Sequence, residues 1–171
     1  PYVEADIENG PDKAVGAMGV LTAMLLARYQ NGRAPLALVS MDNCSKNGSL
    51  LRSSVLTMAE EWKKKEYVDE DCFAYVSDES IVSFPWTMID KITPRPNPDI
   101  AADLKALGVE DMDPVETSKR TYIAPFINGE DPQYLVIEDS FPNGRPPLEK
   151  GKGVYLGSRD TVNKSERMKV T

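Results

Sequence analysis

The sequence predicts an α/β domain, and three observations predict it. An apolar stripe at helical spacing fills residues 11–30, a short apolar run follows at 35–41, and a second helical stripe fills 49–65. Helix, strand and helix in succession is the alternation that layers helices over a sheet. The 171 residues suffice for one domain with a real core. With 41% apolar and 27% charged residues, the chain has the balance of a globular protein and not of a disordered one.

Residues 1–10 are polar and close on Asn9-Gly10, a turn signal. Pro11 suits the first turn of a helix. Val15, Met18, Thr22, Leu25 and Tyr29 then mark one helix face, and Asn31-Gly32 stops it. Gly16 and Gly19 inside that pattern cost helix propensity, which predicts close packing against a sheet or another helix there. They do not form G-x-G-x-x-G, and no strand precedes them. Pro35–Met41 reads as a buried strand of the kind found in parallel sheets. It runs into Asp42-Asn43-Cys44 and then Asn47-Gly48. The next helix, from about Ser49 to Lys65, has Leu51, Val55, Met58 and Trp62 as its apolar face.

Glu66–Ser80 is acidic, and Phe73–Val76 within it reads as a short strand. Ile81–Thr93 mixes β-branched and aromatic residues with Pro85, which predicts a strand near a sheet edge. Pro94, Pro96 and Pro98 punctuate a loop. Ile100–Leu107 forms a short helix closed by Gly108, and 109–120 is polar. Tyr122–Ala124, Tyr134–Ile137 and Gly153–Leu156 read as strands, with a Pro-rich loop over 141–147. From Ser158 the chain turns helical, with Val162, Ser165, Met168 and Lys169 at helical spacing and no stop signal before Thr171. The first residue is Pro1 and not Met, so the chain is expected to be an excerpt of a longer product.

Charge and composition exclude several function classes. A net charge of −7 and a pI of 4.7 repel phosphate backbones, so nucleic acid is not an expected partner. The chain has no histidine, so it contains no Ser–His or Cys–His pair and no His-ligated metal. Lys, Asp, Glu or Tyr must carry any acid–base work. Cys44 and Cys72 form no metal or redox motif and read as reduced thiols of a cytoplasmic protein. No apolar run reaches the length of a membrane span, and no signal segment opens the chain, so no membrane partner is expected.

Four places could carry chemistry. Asp42-Asn43 lies at the carboxyl end of a strand, where open α/β sheets bind ligands, although a turn or helix cap uses the same residues. Asp90 sits among apolar residues, which requires either a structural cation or a site beside it. Glu138 and Asp139 end a strand and Arg145 follows, so they form either an ion-pair clamp or a carboxylate- or phosphate-binding fork. Lys169 is an ordinary solvated charge unless its surroundings depress its pKa and make it a base.

Four segments together resemble the mannitol dehydrogenase family of polyol-specific long-chain dehydrogenases, which includes mannitol 2-dehydrogenases and the fructuronate and tagaturonate reductases. They are Val39–Asn43 with Asn47-Gly48, Phe84–Pro94, Ile137–Pro146 and Glu166–Lys169. The resemblance implies the latter part of a Rossmann-type NAD(P)-binding domain, with some strands free to run antiparallel. It also implies a cofactor, NAD or NADP, no metal, and a small-molecule polyol or hexuronate substrate. By the same resemblance Lys169 matches the catalytic lysine, the general base in alcohol oxidation and the proton donor in ketone reduction. Asn43 and Asp90 match polar residues bordering the substrate and nicotinamide.

The resemblance further implies features this chain does not carry. They are a Gly-rich dinucleotide turn before the region covered, an Asn and a His soon after the lysine, and a helical C-terminal domain. The expected parent is thus a cytoplasmic enzyme of carbohydrate metabolism, with the hexuronate reductases the favoured branch, and the segment alone is expected to be inactive. Trp86 stands where the family commonly has Asn, and 62–81 is longer than usual. Two rival classes remain beside the resemblance: a non-catalytic acidic α/β interaction or structural domain, and a carboxylate metal enzyme built on Asp90, Glu138 and Asp139.

Overall fold

The computed structural model describes residues 2–90, 96–127, 129 and 134–167. In chain order the elements are α1 (Tyr2–Asn9), α2 (Ala17–Gln30), β1 (Leu36–Ala37), α3 (Asn47–Lys64), α4 (Glu70–Ser77), β2 (Val82–Ser83) and β3 (Thr87–Asp90). Then come α5 (Pro98–Ala106), β4 (Val115–Glu116), β5 (Tyr122–Ile123), β6 (Tyr134–Glu138), β7 (Val154–Gly157) and α6 (Arg159–Glu166). Two compact units result, one from residues 1–89 and 135–171, the other from 90–134.

In the first unit β1 pairs with β2 in parallel, Leu36 opposite Val82 and Ala37 opposite Ser83. A second sheet has the order β3-β6-β7, with β6 and β7 parallel. The core gathers Leu25 and Tyr29 from α2, Val55, Met58 and Trp62 from α3, Cys72, Tyr75 and Val76 from α4, and Val82 and Phe84. Trp62 is fully buried and its indole N–H donates to the Asp6 carbonyl at 2.9 Å, so the largest core side chain is also satisfied as a donor. The apolar face read for 49–65 is the one that packs.

The predicted close packing at Gly16 and Gly19 is present, and its partner is a helix. Asp6 of α1 is buried, and its carboxylate accepts the backbone N–H of Val15 at 2.9 Å and of Gly16 at 2.8 Å. It thereby caps the start of α2, where unpaired N–H groups and the helix dipole favour an anion. A Cβ at Gly19 would stand 2.3 Å from the Asp6 Oδ2.

Several expectations are corrected. The polar stretch before Asn9-Gly10 is itself helical, as α1. Pro11 heads a 3-10 turn, and the long helix begins only at Ala17, which leaves Val15 exposed and off the buried face. The run Pro35–Met41 contributes only two ladder residues and is half-buried. Phe73–Val76 is not a strand but the middle of α4. Asp69 caps that helix by accepting the Cys72 N–H at 2.7 Å, and Glu70 and Asp71 follow in its first turn. The stretch Ile81–Thr93 carries two short strands, β2 and β3, paired with different neighbours across the buried Phe84–Trp86 segment.

The second unit holds α5 and the antiparallel pair β4–β5, in which Val115 faces Ile123 and Glu116 faces Tyr122. Asn97 caps α5 by accepting the Asp99 N–H, Pro98 opens it, and Gly108 follows it at φ +88°, as its position in sequence predicts.

Candidate active site

The loop after β1 is held from two sides. On one side is Asn47, the first residue of α3, buried to 1%. Its amide nitrogen donates to the Asp42 carbonyl at 2.8 Å, the Thr87 hydroxyl at 2.7 Å and, more weakly, the Ser40 carbonyl at 3.3 Å. Its amide oxygen accepts the N–H of Gly48 at 2.8 Å and of Thr87 at 3.0 Å. Thr87 Oγ1 in turn donates to the Ser40 carbonyl at 2.6 Å.

On the other side is Glu166, the last residue of α6. It accepts from the Ser45 hydroxyl at 2.6 Å and from the Lys46 N–H at 3.1 Å. Lys46 caps α3 with a left-handed backbone, φ 54°, a conformation that persists in a non-glycine residue only where neighbours enforce it. Asn43 sits on an exposed bend between these two anchors.

The strand-end acids are structural. Glu138 accepts the Trp86 backbone N–H at 3.0 Å and the Arg159 Nε at 3.1 Å. The Arg159 guanidinium lies 5.3 Å from the Trp86 ring centroid and also reaches Glu79 at 3.3 Å. Trp86 donates its indole N–H to the Ser49 hydroxyl at 2.9 Å. Asp139 holds Arg145 at 2.9 Å, and Glu149 takes a second nitrogen of the same guanidinium. Its own backbone N–H and Arg145 both hold the Glu149 carboxyl below the usual carboxylate range. Arg145 is thus a clamp within its own loop.

Of the sequence-predicted site residues, Asn43 falls on the anchored bend and Asp90 is the last residue of β3. Lys169 and the Asp90 side chain lie outside the described residues. The metal alternative loses two of its ligands, because Glu138 and Asp139 are engaged by arginines. Among the described residues no group of three or more metal-binding side chains occurs. Sequence reasoning used Asn47-Gly48 only as part of a resembling segment and did not anticipate that the Asn47 side chain is buried and fully hydrogen-bonded at the start of α3.

Comparison with known proteins places this architecture. The family model described as the mannitol dehydrogenase Rossmann domain matches residues 5–150. The D-mannonate oxidoreductase of Thermotoga maritima is 52% identical, covering 100% of this chain and 32% of that protein. A mannitol 2-dehydrogenase of Aspergillus terreus is 30% identical, with coverage of 99% and 30%. Among solved structures, a D-sorbitol dehydrogenase in substrate-free form superposes with a TM-score of 0.68 at 29% identity, covering 99% of this chain and 30% of that one. Pseudomonas fluorescens mannitol 2-dehydrogenase, in a ternary complex with NAD and D-mannitol, gives 0.69 at 26% identity with the same coverage. The chain therefore spans about a third of the length of the curated relatives it matches. With its parallel strand pair, flanking helices and matched motifs, the chain belongs to the mannitol dehydrogenase family, in its Rossmann domain.

Proposed function

We propose that the chain is the latter part of the N-terminal Rossmann-type domain of an NAD(P)-dependent oxidoreductase. That enzyme interconverts a sugar alcohol or hexonate with its ketose or keto-acid. The 52% identity to a D-mannonate oxidoreductase, against 30% for a mannitol 2-dehydrogenase, favours the hexonate branch. The observation that carries the site is the Glu166 carboxylate on Ser45 and Lys46. It ties the end of α6, three residues before Lys169 in sequence, to the loop that carries Asn43.

The chain fits part of a dinucleotide site. A parallel pair with helices packed around it is the kind of unit from which such folds are built, and ligands bind at the carboxyl ends of its strands. The sequence has no Gly-rich phosphate turn, so no pyrophosphate contact is assigned to these residues. NAD or NADP, when bound, would supply the hydride acceptor for the carbinol carbon. Lys169, in its neutral form, takes the hydroxyl proton during oxidation and returns it during reduction. Asn43 directs its carboxamide at the same oxygen, orienting it and stabilising its partial charge. Asp90 borders the substrate as the second polar residue.

Oxidation needs the neutral amine and reduction the protonated one. The oxidation rate therefore climbs with pH to a plateau, and the reduction rate falls over the same range. In the intact protein, supplied with D-mannonate and NAD, Lys169→Ala lowers turnover by about 10²–10⁴-fold and removes this pH dependence. Turnover of the variant with an unaltered pH profile would refute the assignment.

A further inference from the structure

We propose that Asn47 is a positioning residue of this site: with Thr87 it fixes the backbone that presents Asn43. The inference rests on the dehydrogenase reading above. Both side chains are buried to 1%, and a buried carboxamide is tolerated only where its hydrogen bonds are made. Those of Asn47 all go to this chain. Its nitrogen faces two loop carbonyls and a hydroxyl, and its oxygen takes two backbone N–H groups. It has no capacity left for a ligand, so any effect on the reaction passes through the groups it holds.

Those groups are specific. The Asp42 carbonyl that Asn47 grips belongs to the peptide leading into Asn43. The Ser40 carbonyl is gripped twice, at 2.6 Å by Thr87 and at 3.3 Å by Asn47. Thr87 opens β3, so the loop is referenced to a strand and not to another loop. Asn47 itself has no room to retreat. A Cβ on the neighbouring Gly48 would stand 2.4 Å from the Phe84 carbonyl and 2.8 Å from that of Pro85, so the start of α3 is seated directly on that segment. Asn47 is not the cap of α3, which falls to Lys46 without a side-chain cap bond, so capping does not account for its burial.

The test uses the intact dehydrogenase. Thr87→Val keeps size and removes the hydroxyl that ties Ser40. Asn47→Asp keeps the acceptor for Gly48 and Thr87 and turns an oxygen toward two carbonyls. Both lower kcat by about 10–100-fold with the KM for NAD unchanged, as small misplacement of a catalytic group does. Amide hydrogen exchange of residues 40–45 accelerates in both, by about tenfold or more. Thr87→Ser, which retains the hydroxyl, returns both readouts to near wild type. Should Asn47→Asp fail to fold, Thr87→Val alone decides. A Thr87→Val enzyme with wild-type kcat, or with unchanged exchange at 40–45, overturns the inference. A wild-type protein that transfers no hydride refutes the dehydrogenase reading instead, while the exchange measurement still reports whether the clamp holds the loop.

Discussion

Asp6 shows how one side chain can set the geometry of two helices. Its carboxylate accepts two N–H groups at the start of α2, and its carbonyl accepts the indole of Trp62. The space for it exists because residue 19 is glycine. Gly19→Ala would place a methyl 2.3 Å from Oδ2 and 2.8 Å from Cγ of Asp6, and a short, buried, doubly bonded side chain cannot swing aside. The variant is expected to lose about 1–3 kcal/mol of stability, read from its urea midpoint. The sequence revealed the two glycines as sites of close approach but not their partner. Nothing in a polar stretch of ten residues marks which of its acids is buried, because the partner N–H groups belong to the backbone. The hydrogen bonding of Asn47 was not legible for a related reason: all its partners but the Thr87 hydroxyl are backbone groups, which have no residue identity to read.

At the level of elements, long periodic stripes were legible and short strands were not. The buried face Val55, Met58 and Trp62 of α3 follows directly from spacing. The segment Phe73–Val76 misled because β-branched and aromatic residues suit a strand, whereas the helix is imposed by its start. Asp69 caps it, two acids follow, and Cys72, Tyr75 and Val76 then face the core. Asp69→Ala should cost about 1 kcal/mol, within the usual range for a lost N-cap, with a matching fall in denaturation midpoint. The two-residue ladder of β1 escaped sequence reading because strand length is set by what pairs alongside, here only Val82 and Ser83.

Across the whole molecule, the core of the first unit concentrates groups that resist ionisation. Burial pushes the Cys72 thiol up to about 11, with Asp69 adding to the shift, and burial also raises Tyr29 and Tyr75. Each is neutral in the folded chain and ionises more readily when unfolded. The stability they contribute is complete below the ordinary thiol pKa and is lost as pH rises through the folded values. Unfolding free energy should therefore decline from about pH 9 upward, and less steeply in Cys72→Val. At neutral pH, Cys72 should resist alkylation while the half-buried Cys44 reacts. A second expectation concerns catalytic competence. These 171 residues include neither a Gly-rich turn nor a histidine, so the isolated chain with D-mannonate and NAD should yield no NADH absorbance. A measurable rate would show that the chemistry needs less than the family pattern implies.

One topological detail bears on how this domain can diversify. The chain leaves the first unit at the end of β3 and re-enters it at β6, and these two strands are neighbours in one sheet, joined where the Glu138 N–H meets the Trp86 carbonyl at 2.9 Å. Residues 90–134 are thus an excursion whose two ends are already side by side. Such a port accepts insertions, deletions or wholesale replacement without rewiring the sheet, since the cost of closing a loop there grows only slowly with its length.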